Sequence, residues 1–409
     1  MLSMHTSPLA ALGGKETGGM NVYVRELARK LGARGWQVDV YTRRQDERTP
    51  EVQTPPELAC RVIQIPAGPA GSLDRRALFG YLPAYVAGIR AFCAREGLTY
   101  DLIHSHYWLS GWAARELARE WRVPVVHMFH TLGRLKDAVA DSPAQREADN
   151  RGSVEQEIMA FADRIVAATP LDRGQMLDHY TVDEAKVAVI PCGVNLELFR
   201  PIERRAAREY LGLPPERQLL LFVGRLDPVK GLNVLLEAMC TLTRRLHPCR
   251  AQDLSLAVIG GDRESHLEAL GDPSCLKEIR EELGLGDLVI FVGSRAQEDL
   301  PYYYSASLAC VMPSLYESFG MVALEAMACA TPVIASRVGG LTYTVRDGET
   351  GFLVPEREPD ALADKLELVI TDTELRQRLG ARAAQVAAGY SWDAVADQIE
   401  GLYAGLGVA

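Results

Sequence analysis

The sequence predicts an α/β fold of two Rossmann-like, doubly wound domains that face each other across a cleft. The chain has 409 residues, which is long for one domain, so we expect two domains of about 200 residues each. Short β-branched runs alternate with longer amphipathic stretches along the chain, as strands and helices do in parallel α/β units. Prolines near the middle, at Pro201, Pro214 and Pro215, indicate a hinge over residues 197–216.

The predicted elements follow this alternation in each half. Candidate strands of the first half are the runs 2–4, 37–42, 61–66, 102–106, 125–129, 165–168 and 187–191. Those of the second half are 219–223, 254–259, 288–292, 309–312, 333–335 and 352–354, and predicted helices include 20–34 and 109–121. We therefore place the domains at 1–200 and 201–389 and look for ligands at the carboxyl ends of the strands.

The charge balance disfavours some classes of partner. A net charge of −10 and a pI of about 5.4 make nucleic acid or an anionic membrane surface an unfavourable partner. A phosphate-bearing ligand would therefore need a local basic pocket. Neither G-x-G-x-x-G nor G-x-x-x-x-G-K-[ST] occurs, which disfavours a dinucleotide site or a P-loop.

The N-terminus and the cysteines predict a soluble, cytoplasmic protein. We expect no apolar run to approach the roughly 20 residues that span a bilayer, and the start M-L-S-M-H-T-S-P lacks the regions of a signal peptide. The eight cysteines form no C-x-x-C pair, so we expect buried thiols rather than disulfides or metal ligands. The first strand has few residues before His5, which is compatible with a start codon placed inside it.

The stretch from 313 to 332 predicts a polyol site beside an anion site. It places Glu317 and Glu325 eight residues apart around a Ser-Phe-Gly turn that opens a helix. If the whole stretch were helical, the two carboxylates would lie roughly 12 Å apart along the axis. That span would suit hydroxyl-bearing groups on either side of a diphosphate, which is the layout of a nucleotide sugar.

Two further loops predict anion binding. The run G-G-K-E-T-G-G-M-N, residues 13–21, follows the first strand and opens a helix, where backbone N–H groups and the helix dipole favour negative charge. It also reads as an ordinary flexible loop. The run G-R-L-D-P-V-K-G, residues 224–231, places Arg225 and Lys230 at a strand end, where two cations can stabilise a diphosphate leaving group.

Histidines end two neighbouring strands of the first half. His104 and His106 share a strand face, but no carboxylate or cysteine completes a ligand set, so we expect no metal. His130 and Thr131 are best placed to reach a substrate. A nearby set of basic residues predicts a second phosphate pocket, and its members are Arg134, Lys136, Arg151 and either Arg75 or Arg76.

At this point the residues resemble a family, the family 4 glycosyltransferases of GT-B fold. The motifs G-G-M-N, G-R-L-D-P-V-K-G and E-S-F-G-M-V-A-L-E occur in the family's order over nearly the whole chain. The segment Tyr390-Ser391-Trp392-Asp393 resembles the start of the family's last helix, which implies that residues 390–409 pack back on the N-terminal domain. The resemblance implies a retaining hexosyltransferase that needs no cofactor, with a C-terminal donor domain and an N-terminal acceptor domain.

The resemblance also implies roles for the donor-side residues. Arg225 and Lys230 would hold the donor diphosphate, helped by backbone N–H groups of Gly18 and Gly19, and Glu325 would bind the nucleotide ribose. His130 would lie near the reacting face of the sugar, and the backbone around Arg295 would contact the base. Hydroxyls of the donor sugar would be bound by Glu317 and by the backbone of Ser318, Phe319, Gly320 and Met321.

Two acceptors agree with the motifs of the first half. S-M-H-T-S-P-L and H-S-H-Y-W-L-S-G resemble the enzymes that transfer N-acetylglucosamine from UDP to inositol 3-phosphate in mycothiol synthesis. H-T-L-G-R-L-K resembles the sucrose-phosphate synthases, which move glucose from UDP-glucose to fructose 6-phosphate, and this second interpretation is favoured narrowly. Both acceptors are phosphate esters, and the implied acceptor residues are Asn21, Arg75, Tyr107, Thr131, Arg134, Lys136 and Arg151.

Functions of other classes fit the sequence less well. A non-catalytic sugar-nucleotide binder would be expected to lose Arg225, Lys230 or Glu317, and none is lost. A serine hydrolase would need G-x-S-x-G, which is absent, and an epimerase would need a glycine fingerprint and a Tyr-x-x-x-Lys pair. An enzyme that binds a UDP-sugar and a phosphorylated sugar or polyol is therefore predicted.

Overall fold

Two largely parallel β-sheets organise the chain, one in each of two units. The structure is a computed structural model, and it describes residues 1–10, 17–140, 146–247, 253–261 and 273–408. One unit comprises Met1–Ala10, Gly19–Cys192 and Trp392–Ala409, and the other comprises Ala11–Gly18 and Gly193–Ser391. The predicted α/β class with two Rossmann-like sheets is confirmed.

The sheet of the first unit is held together by the first residues of the chain. Its strands are β1 Asp39–Arg43, β2 Val52–Gln53, β3 Arg61–Ile65, β4 Ile103–His106, β5 Val125–Met128, β6 Arg164–Ala167 and β7 Val187–Val189. Leu2 N–H donates to the His104 carbonyl at 2.9 Å, and Ser3 N–H donates to the Tyr41 carbonyl at 2.9 Å. The predicted first strand is thus an extended segment between β1 and β4, and it gives the order β2-β3-β1-segment-β4-β5-β6-β7.

Helices connect these strands, as expected for crossover units. They are α1 Gly19–Ala33, α2 Arg75–Leu78, α3 Leu82–Glu96, α4 Tyr107–Trp121, α5 Gly133–Ala138, α6 Arg151–Phe161 and α7 Pro170–His179. Helix α7 shows why such helices begin where they do. The Thr169 hydroxyl accepts from the Asp172 N–H at 3.0 Å, and Pro170 occupies the first turn, where its missing N–H costs nothing.

One helical run departs from the hydropathy expectation. Residues Arg76–Glu96 have the length and mean hydropathy of a membrane-crossing helix. A core helix of a globular domain meets the same criterion, and here Leu82, Tyr85, Ile89 and Phe92 are buried inside the first unit.

The C-terminal helix, Trp392–Ala404, belongs to the first unit and packs beside α1. Lys30 Nζ lies 2.7 Å from Asp393 Oδ2, but that carboxylate is largely exposed, so the ion pair contributes little. Buried rings contribute more, because Trp392 packs edge-on against Tyr23 and the Tyr403 hydroxyl lies 2.7 Å from His104 Nδ1.

The second unit holds a six-stranded parallel sheet of order β10-β9-β8-β11-β12-β13. Its strands are β8 Gln218–Val223, β9 Leu254–Ile259, β10 Val289–Gly293, β11 Ala309–Met312, β12 Val333–Ser336 and β13 Gly351–Val354. Its helices are α8 Arg204–Leu211, α9 Leu232–Arg245, α10 Pro273–Glu282, α11 Leu300–Ala306, α12 Met321–Ala328, α13 Leu341–Thr344, α14 Pro359–Thr371 and α15 Thr373–Ala387. The strand order reverses between β8 and β11, which is where open α/β sheets bind ligands.

The segment predicted as a hinge, 197–216, lies wholly within the second unit. It contains α8, whose Arg208 is buried and donates through Nε to the Ala306 carbonyl at 3.3 Å. The prolines therefore bound a packed helix, and the two units divide earlier, after Cys192.

Cysteines of the described residues are buried thiols, as predicted: Cys60, Cys93, Cys192, Cys240, Cys310 and Cys329. Cys249 and the side chain of Cys275 lie outside the described part of the chain.

Candidate active site

The loops after β8 and β11 lie against each other at the point where the strand order reverses. Leu315 N–H donates to the Val229 carbonyl at 2.8 Å, which joins the two loops through their backbones. Gly231 has a φ of +67°, and a Cβ built on it would lie 2.0 Å from the Pro313 carbonyl oxygen. Only glycine permits both this backbone conformation and this close approach. Gly231, the last residue of G-R-L-D-P-V-K-G, therefore allows this motif to lie close to the predicted stretch 313–332.

This contact brings Lys230 and Glu317 together. Lys230 ends the short 3₁₀ helix Pro228–Lys230, and its Nζ pairs with Oε2 of Glu317. Asp227 fixes the turn by accepting from the Val229 N–H at 3.1 Å, and Arg225 Nη1 lies 3.5 Å from Asp227 Oδ2. The predicted cation pair is thus placed at a strand end, with carboxylates that hold each cation in position.

Helix α12 begins beside Glu317. Its N-cap residue, Gly320, has a φ of +91° and supplies no side-chain hydrogen bond, so the first N–H groups of the helix have no side-chain cap. Residues 317–320 are not helical, so the two carboxylates do not lie along a single helix axis. The distance of roughly 12 Å between the Glu317 and Glu325 carboxylates, which assumed one continuous helix, therefore does not apply.

Two glycines outside the predicted motifs, Gly339 and Gly340, pack against the loop that carries Glu317. Gly340 N–H donates to the Glu317 carbonyl at 2.8 Å, and a Cβ on Gly340 would lie 2.1 Å from the Ser318 carbonyl oxygen. Gly339 has a φ of +44°, and its Cβ would lie 2.0 Å from the Glu317 carbonyl oxygen. The sequence signal for these two glycines is the run R-V-G-G, residues 337–340, directly after β12.

Glu325 lies inside the unit, on α12. It is buried, and the hydroxyl of the fully buried Tyr304 donates to its Oε2 at 2.9 Å. Burial, together with the nearby Glu325 carboxylate, raises the pKa of Tyr304 well above its ordinary value. The tyrosine therefore remains a hydroxyl donor at any physiological pH and orients this carboxylate.

The remaining predicted donor residues lie around this loop pair or outside the described set. Arg295 follows β10, and its Nε donates to the Tyr303 hydroxyl at 3.3 Å. Gly18 groups with the second unit, where a Cβ on it would lie 4.0 Å from Arg225 Nε, whereas Gly19 begins α1 in the first unit. Residues 13–16 of the glycine loop fall outside the described residues. Ser318, Phe319 and Met321 lie within the loop or at the start of α12, and Phe319 is buried.

In the first unit, His130 sits in a strained turn after β5. Its φ is +61°, a left-handed conformation that side-chain-bearing residues rarely adopt. Its Nε2 lies 3.1 Å from Nδ1 of His106, and Tyr23 packs edge-on against both rings. Burial lowers the pKa of His130 to about 3, so the ring is neutral near pH 7. It can therefore take part in hydrogen bonds but supplies no positive charge.

The predicted phosphate pocket brings together Arg151, Tyr107 and Thr131. Arg151 is buried; its Nη1 donates to the Tyr107 hydroxyl at 3.0 Å, and its Nη2 donates to Oγ1 of Thr131 at 3.0 Å. Burial alone would lower the pKa of Arg151, but the neighbouring Tyr107, Glu155 and Glu147 raise it well above its ordinary value. Arg151 is thus a permanent cation inside the unit.

Carboxylates accompany the cations of this pocket. Glu155 is fully buried, accepts from Arg151 Nε at 2.7 Å and from the Gly133 N–H at 3.0 Å, and is also bonded to the Tyr180 hydroxyl. Glu147 pairs with both Arg151 and Lys136. Neither Glu155 nor Glu147 belongs to a motif that the sequence predicted as part of this pocket.

The other predicted acceptor residues have partners of their own. Asn21 Nδ2 donates to Thr6 Oγ1 and to the Ser7 carbonyl, each at 2.7 Å. Arg134 is exposed, bonds the His179 carbonyl and lies 4.3 Å above the Tyr180 ring. The side chain of Arg75 is not among those described. Within the described residues, no group of three His, Cys, Asp or Glu side chains is arranged to hold a metal ion.

Known proteins resemble this chain over nearly its whole length. Residues 17–198 match Glycosyltransferase Family 4, and residues 203–386 match Glycosyl transferases group 1. A D-inositol 3-phosphate glycosyltransferase of Frankia alni is 44% identical over 399 residues, covering 96% of each chain. The structure of a sucrose-phosphate synthase from Thermosynechococcus elongatus is 38% identical with a TM-score of 0.90, covering 99% of this chain and 98% of that one. Anabaena HepE in complex with UDP-glucose is 21% identical with a TM-score of 0.76, covering 99% of each chain, and this likeness shows the fold alone.

Proposed function

Because the chain belongs to the family 4 glycosyltransferases of GT-B fold, and is a hexosyltransferase, we propose that it moves a glucose-type sugar from a UDP-sugar to a phosphorylated polyol. The observation that carries this proposal is the Lys230–Glu317 pair beside Arg225, where the strand order of the second unit reverses. Ligands of such sheets bind at this point. Cations there suit a diphosphate, and a carboxylate suits sugar hydroxyls.

The second unit would bind the donor. Arg225 and Lys230 neutralise the charge that grows on the diphosphate as the bond to the sugar breaks. Glu317 and the uncapped N–H groups at the start of α12 hold sugar hydroxyls. Glu325, oriented by Tyr304, accepts hydrogen bonds from the ribose, and the backbone near Arg295 contacts the base.

The transfer itself would proceed with retention at the anomeric carbon. The bond from the anomeric carbon to the diphosphate oxygen breaks, and the acceptor hydroxyl oxygen forms its new bond on the same face of the sugar. The hydroxyl proton moves to a phosphate oxygen of the departing UDP. Because His130 is neutral, its role is to position the sugar by a hydrogen bond rather than to supply charge.

Inositol 3-phosphate is the acceptor we propose first. The D-inositol 3-phosphate glycosyltransferase of Frankia alni is 44% identical over nearly the whole chain. The cluster of Tyr107, Thr131 and Arg151 suits a phosphate ester. Fructose 6-phosphate, which the sequence motifs favoured narrowly, becomes the second candidate. It is supported by the sucrose-phosphate synthase structure at 38% identity and by G-R-L-K at the start of α5.

Release of UDP tests the proposal directly. UDP-glucose and UDP-N-acetylglucosamine are each offered with inositol 3-phosphate and with fructose 6-phosphate, and unphosphorylated inositol serves as control. We expect release with inositol 3-phosphate and little with the unphosphorylated control, and NMR of the product should show a retained anomeric configuration. Fast turnover with fructose 6-phosphate alone would favour the second candidate, and no release in any pairing contradicts the proposal.

The acceptor side is tested by Arg151→Ala. We expect the KM for the phosphorylated acceptor to rise by at least an order of magnitude, while the KM for the donor changes little, because a charged hydrogen bond to phosphate is lost. Arg173→Ala, which removes a partly exposed arginine of the same unit, is the matched control. Equal changes in the two KM values would count against a phosphate pocket at Arg151.

A further inference from the structure

The guanidinium of Arg151 has all of its N–H groups engaged within the first unit. An arginine side chain offers five N–H donors. The Nε–H is bonded to Glu155, at 2.7 Å. Nη2 donates to the carbonyl oxygen of Thr131 at 2.6 Å and to its Oγ1 at 3.0 Å. Nη1 donates to the Tyr107 hydroxyl at 3.0 Å and lies 2.9 Å from Oε2 of Glu147. A phosphate can therefore bind Arg151 only by replacing one of these partners.

The partners differ in how readily they can be replaced. The Glu155 side chain is 0% exposed and is also bonded to Gly133 N–H and to Tyr180, so its removal would leave several donors without a partner. The Thr131 carbonyl belongs to the backbone of the turn that carries His130. Glu147, in contrast, is 10% exposed and lies on the outer side of the cluster, beside Lys136, whose side chain is 13% exposed.

The Glu147 carboxylate is an anion, as is the acceptor phosphate that Arg151 and Lys136 would bind. Its carboxylate bridges two cations, Arg151 and Lys136, and its Arg151 contact lies on the same Nη1 that bonds the Tyr107 hydroxyl. A phosphate monoester offers the same negative charge and more acceptor oxygens. An exchange of one anion for another leaves no cation buried without a partner, which would otherwise be strongly unfavourable.

We propose that the Glu147 carboxylate occupies the place of the acceptor phosphate when no acceptor is bound, and that acceptor binding displaces it from Arg151 and Lys136. This inference rests on the proposed function, since it takes the acceptor to be a phosphate ester. It makes Glu147 a specificity-determining residue. A neutral polyol cannot replace the charge of Glu147, so only an anionic acceptor completes the site.

The test is Glu147→Gln, with Glu157→Gln as matched control. Glu157 lies on α6, the helix that begins at Arg151, but its carboxylate is 55% exposed and pairs with Arg115 away from the cluster. Removing the competing charge at Glu147 should lower the KM for inositol 3-phosphate about tenfold and leave the donor KM unchanged. The control variant should change neither value. An unchanged or raised acceptor KM in Glu147→Gln overturns the inference.

A second measurement separates this inference from the proposed function. Binding of inorganic phosphate to the full chain can be followed by calorimetry without any turnover. We expect Glu147→Gln to bind phosphate about tenfold more tightly than the wild type, whichever phosphorylated acceptor proves to be the substrate. If no acceptor is turned over but phosphate binding tightens, the proposed function fails and the displacement stands. If turnover is found but phosphate affinity is unchanged, the displacement fails alone. A purely structural Glu147 would instead lower the Tm of the variant without tightening phosphate binding.

Discussion

Lys230 and Glu317 lie 87 positions apart in the sequence, yet the ammonium group of one pairs with the carboxylate of the other. The pair forms because β8 and β11 are neighbours in the sheet, so the loops that follow them meet at one edge. It places a lysine and a carboxylate, both partly exposed, at a strand end.

The close approach of the two loops predicts that Gly231→Ala is far more damaging than Gly212→Ala. The two glycines have nearly the same φ, +67° and +65°, but a Cβ on Gly212 meets nothing within 4 Å. We expect Gly212→Ala to lower the free energy of unfolding by roughly 1 kcal/mol through backbone strain alone. Gly231→Ala must in addition displace the Pro313 carbonyl, and so should also weaken UDP binding. Urea denaturation and calorimetry measure the two effects, and equal UDP affinities in both variants would contradict this role for Gly231.

The contact between Tyr304 and Glu325 predicts a loss of donor affinity in Tyr304→Phe. The variant removes a buried hydroxyl that orients the carboxylate, at a cost of about 1–2 kcal/mol in the free energy of unfolding. The KM for the UDP-sugar should rise several-fold, and the acceptor KM should not. Tyr302→Phe, on the same helix, is the control, because Tyr302 stacks on Tyr210 near the surface. A donor KM that is unchanged in Tyr304→Phe would show that Glu325 does not contact the donor.

The sequence predicted the fold class, because periodicity and turn residues act locally. It also placed Arg225 and Lys230 at a strand end and Glu317 in a loop that opens a helix, and the sheet order brings the two loops together. It did not single out Gly339 and Gly340, because the run R-V-G-G indicates a turn but not the backbone approach to Glu317 and Ser318 that requires both glycines.

Side-chain contacts between residues that are distant in the sequence could not be predicted from local patterns either. Tyr304 is the last of three consecutive tyrosines, and no local pattern indicates that its hydroxyl donates to Glu325. Glu147 belongs to no motif, and its pairing with Lys136 depends on how residues near α5 and α6 pack. The hinge prediction rested on prolines alone, and prolines bound packed helices as readily as linkers.

Buried histidines predict that stability falls in mild acid. Burial lowers the pKa of His104 to about 3, and the pKa values of His106 and His127 are lowered as well. The unfolded chain then binds more protons than the folded one between the ordinary value, near 6.5, and about 3. The stabilising contribution is therefore complete above pH 6.5 and is lost as the pH falls. Asp172 works in the opposite direction, because burial raises its pKa to about 6.

Denaturation as a function of pH isolates the contribution of His104. We expect His104→Gln to reduce the slope of unfolding free energy against pH, between pH 6 and pH 4, by about one proton, or roughly 1.4 kcal/mol per pH unit. Tyr403→Phe keeps the imidazole but removes its hydroxyl partner, and should retain the slope. An unaltered slope in His104→Gln would mean that this ring is not kept neutral by the fold.

The donor site is tested by the rate of sugar transfer from a UDP-sugar in Lys230→Ala and Glu317→Ala. Both residues lie at the reversal of strand order and are partly exposed, so the fold should survive, as circular dichroism and Tm would show. We expect each variant to lose transfer by about a hundredfold or more, in line with the loss of a group that stabilises developing charge or holds the donor sugar. Lys365→Met, on α14 of the same unit, should retain normal rates. Near-normal transfer in both Lys230→Ala and Glu317→Ala would contradict donor binding at this pair.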